Sequence, residues 1–209
     1  MDKNPRAMRW AFAMTTTLAV AACGDRQLPT AIEPPTAERA ALSAVPGSSD
    51  VVGILRRTEY LPPGLSASDV IGPEGGHLQI GRAGLRVEFA PGAVSRPTRI
   101  SVTAIGGRFV AYRFQPHGLV FDAPVTLRQN LRKTTAWREP LLAGQLQGSY
   151  FEKLLVDASG QYAGTTERRA AKLRDESRFL EFTIEHFSGY MVSTGKMPVQ
   201  VELEIEIHR

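Results

Sequence analysis

His186, Phe187 and Ser188 stand in a row within the stretch EHFSGYMV, and an imidazole and a hydroxyl flanking one aromatic residue is a tripeptide with which some proteins cut their own backbone. The chemistry is an N-to-O acyl shift onto the serine, helped by any strain that twists the amide out of plane. The same eight residues also read as plain β-strand, so the pattern poses a choice between a reaction centre and a packed element.

Other chemistry-bearing residues are sparse. The histidines His77, His117, His186 and His208 fall in four separate stretches without metal-ligand spacing, and Cys23 is the only cysteine, so neither a metal site nor an internal disulfide is expected. No Gly-x-Ser-x-Gly elbow occurs. The glycines of GPEGGHL (Gly72, Gly75, Gly76) have no Gly-Lys-Ser/Thr or helix after them, so they predict a tight turn with Pro73 at its corner rather than a phosphate loop. No cofactor is expected and nothing here requires an enzyme; if the chain does act on itself, His186, Phe187 and Ser188 are the residues involved.

The N-terminus reads as an export signal. Lys3, Arg6 and Arg9 precede an uncharged, largely apolar run over 10–22, which at ~1.5 Å per residue is too short for a ~30 Å hydrocarbon core. It ends in LAVAAC, which resembles the lipobox of bacterial lipoproteins. That resemblance implies removal of residues 1–22 and lipid attachment at Cys23, with the membrane as partner and the bacterial cell envelope, inner or outer membrane, as location. Residues 23–50, rich in Pro, Ala and Ser, then form a lipid-anchored flexible tether.

The whole chain has 25 Lys plus Arg and 21 Asp plus Glu; without Lys3, Arg6, Arg9 and Asp2 these become 22 and 20, a net of +2. Near balance, with no recognisable motif, excludes a nucleic-acid binder.

The elements that must position the tripeptide are strands. From about Val51 short apolar alternations are punctuated by Gly and Pro every ten or so residues, which predicts one all-β domain, a sandwich or a barrel. Candidate strands are 52–60, 77–80, 85–89, 99–105, 109–115, 125–130, 150–156, 169–174, 179–193 and 199–207, the segment 168–174 also suiting a helical turn or two. Pro91 and Gly92 are expected at the corners of a type II turn that ends and reverses strand 85–89.

The stretch 196–209 forms a C-terminal strand with Val199, Val201, Leu203, Ile205 and Ile207 on one face. On the other lie Gln200, Glu202, Glu204, Glu206 and His208, with Arg168, Lys172 and Arg174 as candidate cross-strand mates. Within 179–193, Leu180, Phe182 and Ile184 share a face, and strict alternation carries His186 and Ser188 onto it with Phe187 opposite. That inverts the expected burial, so either the register slips near 185–187 and Phe187 turns inward, or His186 and Ser188 are buried and hydrogen-bonded.

Taken in order, VIGPEGGHLQI, GLRVEFAPGAVSRPTRISVTAI, YRFQPHGLVFDAPVTL and HFSGYMV resemble the ZU-five domain, a β-sandwich module of ZO proteins, Unc-five receptors and ankyrins that also occurs in bacterial exported proteins. The resemblance covers 51–195 and implies that this stretch is a β-sandwich, serving as a non-catalytic protein-interaction or structural module with an envelope protein as partner. An alternative follows from self-cutting relatives of ZU-five, cleaved between Phe and Ser: Ser188 as nucleophile, the Phe187 carbonyl as electrophile, His186 as base or strain-setting residue. Those relatives use a second, upstream histidine, a role that only His77 or His117 could fill, and a signalling domain follows their cut whereas only residues 188–209 follow here. A third reading, an envelope carbohydrate-binding module, needs an exposed aromatic platform, yet Trp137 is the only tryptophan besides Trp10 of the signal.

Overall fold

Alternating apolar residues in short runs leave each strand with one face to bury, and the chain satisfies this by stacking antiparallel sheets. The computed structural model describes residues 50–195 and 205–207; the expected signal over 1–22, Cys23 and all but the last residue of the expected tether lie outside them. The strands are β1 (Asp50–Gly53), β2 (Arg56–Leu61), β3 (Ser66–Ile71), β4 (Gly76–Ile80), β5 (Leu85–Phe89), β6 (Thr98–Ala104), β7 (Gly107–Phe109), β8 (Ala111–Gln115) and β9 (Val120–Asn130). They continue with β10 (Gln147–Phe151), β11 (Leu155–Val156), β12 (Tyr162–Thr165), β13 (Glu167–Ala170), β14 (Lys172–Arg174), β15 (Phe179–His186), β16 (Gly189–Ser193) and β17 (Ile205–Glu206). The expected all-β, sandwich-like fold is what the chain adopts.

A six-stranded sheet in the order β13-β10-β16-β8-β6-β3 faces a five-stranded sheet in the order β14-β15-β9-β5-β4. Between them lies the main core, including Val87, Phe89, Ile100, Val102, Phe114, Leu127, Phe182, Ile184, Phe187 and Tyr190. The six-stranded sheet is covered on its other face too: Met191, Ala111 and Phe151 meet Val52, Val156 and Ala163 of a four-stranded sheet ordered β1-β12-β11-β17. This explains why every residue of β16 is buried. Gly189 is required there, since a Cβ on it would lie 2.2 Å from the Phe151 ring.

Several predicted strands are broken where the chain leaves one sheet for another. The segment 52–60 splits at Ile54 and Leu55 into β1 and β2, 169–174 splits at Ala171 into β13 and β14, and 179–193 splits at Phe187 and Ser188 into β15 and β16. Such corners are how a sandwich turns a strand from one layer into the next. At Pro91 and Gly92 the expected turn forms, with Ala93 N–H donating to Ala90 O (3.0 Å) and Gly92 at φ 81°, but the chain then crosses to β6 of the opposite sheet instead of folding into a hairpin. The GPEGGHL turn closes through Gly75 N–H donating to Gly72 O (2.9 Å). Of the C-terminal strand, Ile205 and Glu206 are described and pair with β11; 196–204 and His208 lie outside the described residues. Of the expected basic mates Arg168, Lys172 and Arg174, Arg168 lies 3.3 Å from Asp50 and Arg174 3.2 Å from Glu181.

Candidate functional site

The tripeptide occupies the corner between β15 and β16. Leu180, Phe182 and Ile184 point into the core as their parity demands. The pairing with β9 then slips: Ile184 lies opposite Val125 but His186 lies opposite Val120, so the extra residues of the irregularity, including Phe121 and Pro124, belong to β9. Beyond His186 the chain crosses between sheets, and parity within one sheet no longer decides which side chain is inside. Phe187 turns inward and is 1% exposed, the first of the two expected outcomes, while Ser188, at the same crossing, is buried as well.

Phe187 closes an aromatic cluster. Its ring stacks on Phe114 (centroids 4.8 Å apart, 20° between planes) and meets Phe121 edge-on at 4.6 Å and Phe89 edge-on at 6.2 Å. The backbone is pinned on both sides. Phe187 N–H donates to Leu119 O (2.7 Å), Gly118 N–H donates to the Phe187 carbonyl (2.9 Å), and Phe114 N–H donates to the Ser188 carbonyl (2.8 Å). Neither Phe187 nor Ser188 is among the described residues with positive φ.

The imidazole faces away from this corner's interior. His186 Nε2 lies 3.2 Å from Glu167 Oε2 on β13, and the ring packs edge-on against Tyr150 at 4.9 Å. No hydrogen bond joins it to Ser188 among the described residues. The turn carrying His117 does lie over the Phe187–Ser188 bond, since its neighbour Gly118 supplies the donor to the Phe187 carbonyl, but the His117 side chain is exposed. His77 is exposed on β4, at the open edge of the five-stranded sheet. One backbone N–H polarises the carbonyl, yet the group that would take the serine proton is held by Glu167. Tyr190, whose hydroxyl donates to His186 O (3.1 Å), has its phenol pushed well above the usual range, first by burial and then by the charge of Glu167. It stays neutral and acts as a strut.

A second polar cluster lies toward the opposite end of β9, at residues that the sequence reading passed over. Arg57 on β2 is 4% exposed and donates from Nη2 to the Tyr112 hydroxyl (2.8 Å). That hydroxyl donates in turn to Gln129 Oε1, with Ala83 O 3.1 Å away, and Gln129 Nε2 donates to Ala83 O (3.2 Å) and Asn130 O (2.9 Å). Burial pushes the Tyr112 phenol up even though the Arg57 charge beside it pulls the other way, so the phenol is neutral at pH 7 and does not neutralise the guanidinium.

Arg57 Nε and Nη1 are buried without a hydrogen-bond partner, and no carboxylate among the described residues pairs with it. A pocket of about 160 Å³ opens beside it, lined also by Leu61, Ala83, Gly84 and the exposed Arg82, Arg132 and Lys133. The available sequence signal was parity: Arg57 is in step with the core residues Leu55 and Leu61 of the same segment.

No protein-family model matches the chain, and no characterised protein matches its sequence.

Proposed function

We propose that the chain is a non-catalytic, lipid-anchored protein of a bacterial envelope whose ZU-five-like sandwich serves as an interaction or structural module. The observation that supports this most is the use made of the one reactive-looking tripeptide. Phe187 fills the centre of an aromatic cluster, and His186 is tied to Glu167 rather than to Ser188. A sheet corner with those contacts holds two layers together, and the same contacts count against the self-cleaving alternative. Exposed large apolar residues, Tyr60, Val70, Val120 and Leu141, are spread over separate elements, which favours neither an aromatic sugar platform nor one broad apolar contact.

The anchoring part is tested by mass spectrometry of the N-terminal peptide from cells of the source. A diacylated or triacylated Cys23 as first residue is expected. A free Cys23 thiol, or a chain beginning elsewhere, contradicts the anchored reading.

A further inference from the structure

We propose that the pocket beside Arg57 is a binding site for a small organic carboxylate. A buried guanidinium needs compensation, because removing a monovalent ion from water costs several kcal/mol unless a counter-charge or a full set of acceptors replaces the hydration. Arg57 has only a neutral phenol on one nitrogen and the face of the Tyr112 ring, 5.4 Å from its central carbon. Two of its three nitrogens have no acceptor. Other arginines with an unpartnered Nε, such as Arg113 and Arg128, are less deeply buried, and each uses another nitrogen on an acceptor, Ile207 O and Asp175 respectively. Among the described residues Arg57 is the one buried arginine, at 4% exposed, and no carboxylate pairs with it; Arg178, whose Nε also lacks a partner, is only partly buried.

The surroundings fit one. Four basic side chains, Arg57, Arg82, Arg132 and Lys133, line the pocket against one acid, Glu59, which is itself held by Lys133 at 2.9 Å. Arg132 is steadied over the Trp137 ring, 5.7 Å from its centroid. An anion entering past these exposed cations meets rising positive potential toward Arg57. Leu61 and Ala83, both buried, and the glycines Gly81 and Gly84 supply apolar or featureless wall. A cavity of ~150 Å³ accommodates a ligand the size of benzene, so the space suits an acid of roughly six non-hydrogen atoms, its carboxylate toward Arg57 and its short carbon chain against Leu61 and Ala83. Those walls favour a carboxylate with a carbon tail over phosphate, whose oxygens point in every direction. This inference is independent of the lipid anchor.

The test is calorimetric titration of butyrate into the full chain in a non-anionic buffer at fixed low ionic strength, with chloride and inorganic phosphate as separate arms. Saturable one-site butyrate binding is expected, weakened at least tenfold in Arg57→Met and two- to fivefold in Arg132→Ser. Arg132 is exposed, so that variant leaves the core intact and decides the matter if Arg57→Met does not fold. Loss of saturable butyrate binding from the wild-type chain, equal affinity in Arg57→Met, or unchanged affinity in Arg132→Ser overturns the site. Phosphate binding as tightly as butyrate overturns the carboxylate assignment, and an equal response to chloride shows that only ionic strength is being read.

Discussion

The two ends of β9 make opposite use of polar and apolar groups. Phe121 packs on Phe187 at one end, and Gln129 joins Tyr112 and Arg57 at the other, eight positions along the chain. At the first end a tripeptide with reactive residue types is pinned by three backbone hydrogen bonds and an aromatic cluster. At the second, a stretch that reads as ordinary strand encloses a cation whose partners are incomplete. Residue type identifies a group that could react; whether its partners are already supplied decides whether it is free to do so.

The largest expected effect is at the aromatic end. Phe187→Ala removes a ring that is 1% exposed and contacts three others, and should lower stability by about 3–5 kcal/mol in denaturant unfolding. A loss below about 1 kcal/mol would break the comparison by showing that the corner is not a packing centre.

At the other end the sign reverses. Arg57→Met replaces a buried, incompletely paired charge by an apolar chain of similar length, and without added anion stability should stay level or rise by about 1–3 kcal/mol. A loss of similar size would mean that the hydrogen bond to Tyr112 outweighs the desolvation.

Asp157, in the turn between β11 and β12, sharpens the contrast because it is a charge with its partners supplied. Its slight burial pushes the carboxyl up. The Ser159 hydroxyl and the N–H groups of Tyr162, Ser159 and Gln161 outweigh this and hold it below the usual carboxylate range. A depressed folded-state pKa gives stability that is complete above the unfolded value of ~3.9 and fades as pH falls through the folded value. Asp157→Asn should lose its acceptor to those N–H groups and cost at most about 1 kcal/mol at pH 7, because solvent screens a carboxylate so slightly buried, and it should flatten the fall in stability below pH 4, read from unfolding midpoints across pH.

The smallest effect is expected at the residue the sequence made most conspicuous. His186→Gln should cost less than about 1 kcal/mol, because its pair with Glu167 is about a third exposed on both sides.

Much of this architecture was legible in the alternation of apolar residues, and the misreadings share one cause. The apolar phase shifts by one residue at Ile54/Leu55 and again before Phe187, but a phase shift alone does not distinguish a bulge within one sheet from a crossing into another, and around Ala171 no apolar alternation marks the break. Strand β3, with the sequence SASDVI and a mostly exposed outer-edge position, lacks the apolar alternation that would have marked it. The burial of Phe187 follows from the sheet crossing, a tertiary fact that parity could pose only as two alternatives. Arg57 was hidden for a different reason. Parity placed it inside, but the absence of a counter-charge is a property of every element around it, from β2 to the segment after β9, and no single stretch carries that information.

The measurement that bears most directly on the central claim is the intact mass of the purified wild-type chain, taken under denaturing conditions after prolonged incubation, beside a Ser188→Ala variant. A packed corner predicts one uncut species in both, unchanged with time. A fragment ending at Phe187 that forms without added protease and is absent from Ser188→Ala would contradict it, and would make the pinned carbonyl of Phe187 a reaction centre after all.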